Sequence, residues 1–238
     1  MAESGIEETY PVYVTEWNLT ISDRNYINDT CFKGAYVVKN ILDCYPLCEG
    51  MALFQGSDRT SEYYDSHDML YGGTGIITKD GILKPAGFAF DFLNRLLPYY
   101  IGKEENCILT TDGHGSYGIL CHNAKKLNYN YYLSAENELD KENIWKYFED
   151  REAKELAIRL RDVRDGVYQM KTYSINEKNG SVLDIWAEME YESELTRNDI
   201  KYFRRTCEPR LKIQKVEAKE QTPVSYTHLR AHETRGNL

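Results

Sequence analysis

The chain has no run of about 18 consecutive apolar residues, so it offers no membrane-spanning helix. Its first 20 residues lack a basic segment followed by an apolar one, and no signal peptide is read there. It also lacks a basic stripe. Twenty-nine Lys and Arg stand against 38 Asp and Glu among 238 residues, a net charge of −9. That balance argues against nucleic acid, because phosphate backbones are met by clustered cations. The pairs Lys125–Lys126 and Arg204–Arg205 are too short to change it. Six cysteines (Cys31, Cys44, Cys48, Cys107, Cys121, Cys207) form no C-x-x-C pair and have no spaced His partner, which argues against a zinc site. They read as reduced thiols of a cytoplasmic protein, Cys44 and Cys48 being the one close pair. No metal and no cofactor is expected.

What is present suffices for a packed core. Hydrophobic residues make up 42% of the chain, which is long enough for one large domain or two ordinary ones. Twenty Tyr and three Trp supply flat apolar faces that fill cores and also stack on sugars.

Along the chain, "YPVYVTEWNLT" (residues 10–20) alternates β-branched Val12 and Val14 with Tyr13 and Thr15, which predicts a short buried strand ending at Glu16. Asp29 or Thr30 can cap a helix with Phe32, Ala35, Val38 and Leu42 on one face. "GMALFQ" (50–55) predicts a second strand, then a long polar loop, and "IITKDGIL" a hairpin around Asp80 and Gly81. A second helix starts at Pro85 and carries Ala89, Phe92, Leu93, Leu96 and Leu97. The first hundred residues therefore read as alternating α/β. From about Asn106 the pattern changes to short strands at hairpin spacing: "CILTTD", "SYGILCHN", "NYNYYL", "LAIRLRD" and "GVYQMKTYSI". These predict an antiparallel sandwich, with a helical insert around Ile144 to Phe148. Ser181 with Asp184, and Thr196 with Asp199, open two small helices by capping-box spacing, and "RLKIQKV" is a last strand. The stretch "PVSYTHLRAHET" (223–234) resembles the in-frame translation of a sequencing-library adapter. Residues 222–238 are accordingly expected to be a non-native, disordered tail, His228 and His232 not a metal pair, and Met1 an internal methionine.

The blocks "PVYVTEWNLT", "NDTCFKGAYVVKNILD", Ser57-Asp58 with Glu62, and "YGGTGIITKDGILKPAGFAFDFLNRL" resemble the last two βα units of family 39 glycoside hydrolases, the β-xylosidase group. "GVYQMKTYSINEKNGSVLDIWAEM" and "ELTRNDIKYFRRTCEP" are similar to the accessory β-domain of the bacterial members. The resemblance covers roughly residues 5 to 216. It implies an α/β plus all-β fold: residues 1–103 the C-terminal part of a (β/α)8 TIM barrel, and 104–221 an antiparallel β-sandwich.

It further implies retaining hydrolysis by two carboxylates about 5 Å apart. Glu16 matches the nucleophile. The family's acid/base sits in an Asn-Glu pair on the fourth strand, and no Asn-Glu precedes Glu16; Asn137-Glu138 and Asn176-Glu177 follow it and read as surface loops. The chain alone is therefore expected to be inactive, a fragment whose parent cleaves terminal xylose from short xylo-oligosaccharides. By motif match Glu62 binds sugar hydroxyls, Phe54 stands where the family usually has Trp under the sugar ring, and Asp58 fixes a loop more than it touches sugar. Trp17 and Asn18 shape the nucleophile's loop, and Gly72 and Gly73 suit a tight turn near the site. The implied partners are an oligosaccharide substrate and a homo-oligomer of the full-length parent, with neither nucleic acid nor membrane. An α-L-iduronidase-type specificity is a sibling reading. From another class stands a non-catalytic carbohydrate-binding or structural β-sandwich protein with a degenerate barrel remnant.

Overall fold

The computed structural model describes residues 10–58, 66–219 and 224–237. Strand β1 (Tyr13–Trp17) lies parallel to β2 (Gly50–Leu53), and helix α1 (Cys31–Cys44) connects them. Parallel neighbours need such a crossover. A single 3-10 turn, Tyr26–Asp29, leads into α1, and Thr30 is its N-cap. Helix α2 (Pro85–Asn94) begins on Pro85, whose missing N–H costs nothing in a first turn. It ends earlier than its apolar pattern suggests. Leu96 and Leu97 lie beyond it: Arg95 caps the helix, and Pro98 disfavours helical backbone at Leu97.

The remaining strands build a mixed α/β structure around a six-stranded antiparallel sheet, ordered β3-β4-β5-β10-β7-β8. These are β3 (Tyr99–Glu104), β4 (Cys107–Thr111), β5 (Tyr117–His122), β7 (Gly166–Ile175), β8 (Arg210–Ala218) and β10 (Thr234–Asn237). Two further strands, β6 (Lys154–Arg159) and β9 (Val224–Leu229), form a separate antiparallel ribbon. The ribbon's Leu156 and Ile158 pack on Ile119 and Cys121 of β5. Ser181 and Thr196 cap helices α4 (Val182–Glu188) and α5 (Arg197–Thr206) as their spacing predicts. The largest core cluster joins Val37, Val38 and Leu42 of α1 and Phe88, Ala89 and Phe92 of α2 to Ile108, Leu120 and Ile175 of the sheet. It draws on both sides of residue 103, so α1 and α2 rest on the sheet rather than beside it.

Three expectations are corrected, and one strand was not anticipated. β1 is not buried: Tyr13 is 62% exposed, because β1 has only β2 beside it among the described residues. "NYNYYL" forms helix α3 (Tyr129–Leu133), since the Asn128 side chain accepts the Asn130 N–H and starts a helical turn despite the tyrosines' strand preference. Tyr99 to Glu104 is an edge strand that the sequence reading left unassigned. Within the expected tail, residues 224–229 and 234–237 form strands: β10 fills the gap between β5 and β7, satisfying the ladder groups of both, and β9 does the same for β6.

Candidate functional site

Glu16 lies near the carboxyl end of β1, exposed to solvent. The chain leaves the strand through Trp17 and Asn18. Trp17 turns inward, half-buried against the core and 6.0 Å from the Tyr36 ring of α1. Its carbonyl accepts the Phe54 N–H at 2.9 Å, which ties the ends of β1 and β2 together. The Asn18 side chain makes the same join a second time. Its amide donates to the carbonyls of Phe54 and Thr74, the latter at 3.3 Å, while its Oδ1 accepts from the Leu19 N–H at 2.7 Å and from Lys33 Nζ. Asn18 therefore spends its amide on fixing backbone and shares its Oδ1 between the Leu19 N–H and Lys33. Phe54 is 39% exposed at the end of β2. Of the expected residues, Glu16, Trp17, Asn18 and Phe54 share this rim; Glu62 lies outside the described residues.

Asp58 sits beneath, 5% exposed, with its carboxylate on Lys84 Nζ at 3.2 Å and on the Gly75 N–H at 2.9 Å. Lys84 is fully buried and also pairs with Asp29 at 2.5 Å and donates to the Gly73 carbonyl at 2.7 Å. Asp29 in turn accepts the Gly72 N–H at 2.8 Å. The loop can come this close only as glycine. Gly72 has φ +82° and a Cβ there would lie 2.3 Å from the Asn25 nitrogen, and a Cβ on Gly73 would lie 2.3 Å from Asp58 Oδ1. A second buried lysine, Lys33 of α1, donates to Asn28 at 3.1 Å as well as to Asn18.

Burial sets the electrostatics of this cluster. It pushes the Asp58 carboxyl up to about 6, against the pull of Lys84, and raises Asp29 in the same way. Burial also works against the Lys84 ammonium, but Asp29 and Asp58 outweigh it and hold its pKa above the ordinary value. Lys33 has no such pair of anions; burial and then the neighbouring Lys84 depress it well below the lysine range. The sequence reading missed Lys33, Lys84 and Asp29. Lys33 gave one signal, a charge set among the buried residues Cys31 to Ala35 of α1.

Chemically, the ends of the paired strands carry an accessible carboxylate, Glu16, and a half-exposed aromatic ring, Phe54, and the Asn18 side chain that joins these ends is itself held by buried Lys33. Among the described residues, no group of three or more His, Cys, Asp or Glu could hold a metal ion, and no helix is long and apolar enough to cross a membrane. Asn137-Glu138 lies in a 3-10 turn, and Asn176-Glu177 in the turn after β7, where Glu177 pairs with Arg151 at 3.5 Å.

The family model for glycosyl hydrolases family 39 matches residues 5–222. A monomeric β-xylosidase from Caulobacter crescentus CB15 superposes with a TM-score of 0.81 at 18% identity, over 96% of this chain and 45% of that one. The family 39 enzyme from Xanthomonas axonopodis pv. citri gives 0.78 at 18% identity, over 96% and 44%. By sequence, a β-xylosidase from Caldicellulosiruptor saccharolyticus is 35% identical over 97 residues, 40% of this chain and 20% of that protein. An uncharacterized HTH-type transcriptional regulator from Staphylococcus aureus is 20% identical over 215 residues, 87% of this chain and 26% of the regulator. The chain thus spans less than half the length of each of these relatives. With nearly its whole length matched to one family model, and its fold shared with solved family 39 enzymes, this chain belongs to glycosyl hydrolases family 39.

Proposed function

We propose that these residues form the C-terminal part of a retaining, β-xylosidase-like glycoside hydrolase. In this reading they comprise the last two βα units of a (β/α)8 barrel followed by an accessory β-sandwich. Glu16 is the nucleophile: its carboxylate attacks the anomeric carbon, a glycosyl-enzyme forms, and water releases it. The observation that carries this is the position of Glu16, exposed near the carboxyl end of a strand in a parallel pair, where barrel enzymes keep their reacting groups. Phe54 offers its ring to the sugar, and Glu62 binds hydroxyls. Asp58 acts through the loop it holds. The acid/base carboxylate comes from outside these 238 residues, so the chain alone does not turn over substrate; losing that group removes roughly 10²- to 10⁴-fold of rate.

The full-length protein is expected to hydrolyse an aryl β-xyloside with retention of anomeric configuration. A 2-fluoro xyloside should label Glu16, and Glu16→Ala should abolish the labelled peptide. Labelling that persists in Glu16→Ala would sink the assignment.

The similarity to the Staphylococcus regulators, which runs along 87% of the chain, favours a second reading: a family 39 domain that binds carbohydrate without cleaving it. Its signature would be calorimetric binding of xylo-oligosaccharide by the full-length protein with neither labelling nor turnover.

A further inference from the structure

Strands β4 and β5 set Cys107 directly opposite Cys121. The His122 N–H donates to the Asn106 carbonyl at 2.9 Å, so the neighbouring pair 106 and 122 is of the hydrogen-bonded kind. Cys107 and Cys121 therefore occupy a non-hydrogen-bonded position, where facing Cα atoms come within about 4.5 Å and side chains lie closest. That separation falls inside the range a disulfide spans. Opposed residues of an antiparallel pair share a face, and both thiols lie in the small cluster formed with Ile119, Leu156, Ile158 and Leu229. Cys121 is buried and Cys107 half-buried, so one sulfur can be reached from solvent with the other behind it. The hydrogen bond from Cys121 lowers the Cys107 thiol to about 7, with burial opposing, and the same contact pushes Cys121 well up. A thiol so placed supplies thiolate at neutral pH, and thiolate is the attacking form.

We propose that Cys107 and Cys121 are an attacking and resolving pair, which a low-molecular-weight disulfide of the glutathione class converts to a cross-strand disulfide between β4 and β5. The Cys107 thiolate attacks one sulfur of the oxidant; that S–S bond breaks and one thiolate leaves. Cys121 gives its proton to solvent, attacks the Cys107 sulfur and expels the second. The two protein thiols lose two electrons and two protons, and the oxidant departs as two small thiols. The pair is independent of the glycosidase reading, since neither cysteine lies on the Glu16 rim.

No Lys or Arg lies between Lys103 and Lys125, so trypsin releases both cysteines on one peptide, residues 104–125. The folded protein is incubated with glutathione disulfide near neutral pH, and remaining thiols are then blocked in denaturant with N-ethylmaleimide. The expected product is peptide 104–125 without label and lighter by two hydrogens, reverting to a doubly labelled peptide after dithiothreitol. Cys121→Ser should stop with one glutathione on Cys107, and Cys107→Ser should leave Cys121 unmodified. The proposal is overturned if the unmutated protein yields a doubly labelled peptide 104–125, keeps glutathione on Cys107, or bridges Cys44 and Cys48 instead. The unmutated protein alone decides the matter if either variant fails to fold.

Discussion

At the scale of single residues, Lys84 is the side chain on which most depends. It is fully buried, neutralises Asp29 and Asp58 together, and holds the Gly73 carbonyl. Lys84→Met keeps most of the volume and leaves two buried carboxylates facing each other without their cation. Removing one partner of a buried ionic group costs about 3–5 kcal/mol, because the remaining charge has nowhere to go. Urea unfolding at neutral pH should show a loss of that size. Lys33→Met should cost less, because burial already disfavours the Lys33 ammonium and its loss strands no carboxylate of comparable burial. Equal losses for the two lysines would contradict this ordering. Little of the cluster was legible beforehand, since Asp58 and Lys84 are 26 residues apart and Lys33 reaches back 15 to Asn18. A local window sees only an isolated charge, and pairing at that distance is a property of the folded chain.

At the scale of elements, legibility followed local cause. β7 was readable to the residue, Gly166 to Ile175, because alternation and flanking turns act within the segment. The caps of α4 and α5 were readable because Ser181 and Thr196 each bond a group three residues ahead. β3 was not, since Tyr99, Tyr100 and Ile101 are exposed on an edge and carry no inward-outward rhythm. β9 and β10 were missed for another reason: residues 223–234 resemble an adapter translation, and that resemblance set the segment aside as a foreign tail. Their strand pairing is long-range, with Thr234 opposite both His122 and Ile175. Deleting residues 222–238 should therefore open the sheet between β5 and β7, bare the ladder groups of both, and expose Ile119 and Cys121 where Leu229 covers them. Leu229 and its lost hydrogen bonds together are worth at least about 3 kcal/mol. A truncated chain whose thermal midpoint matches that of the whole would show that the sheet closes without β10.

At the scale of the whole molecule, buried titratable groups make stability depend on pH in two opposed ways. His122 is 1% exposed, and its Nδ1 accepts the Ala124 N–H, which requires the neutral ring. Burial, with Lys39 adding to it, lowers its pKa to about 4; burial and then Lys125 lower that of His232 to about 3. The unfolded chain takes up these protons near the ordinary histidine value of about 6.5, so it binds more protons than the folded chain on acidification. Stability from both histidines is complete above about 6.5 and falls as pH drops toward 4, by about 3 kcal/mol for His122 alone. Asp58 and Asp184 act the other way. Burial raises both to about 6, so the folded chain gains their protons first, and their contribution is present below about 4 and lost as pH rises through 6. Over this window the two effects offset, and the net profile of the protein cannot separate them. The difference between the protein and its His122→Gln variant can. Denaturant unfolding at successive pH values should show that difference shrinking steadily from pH 6.5 to 4, as the histidine's contribution is withdrawn and the aspartate contributions cancel. A difference that stays constant across the window would mean that His122 is not held neutral by the fold.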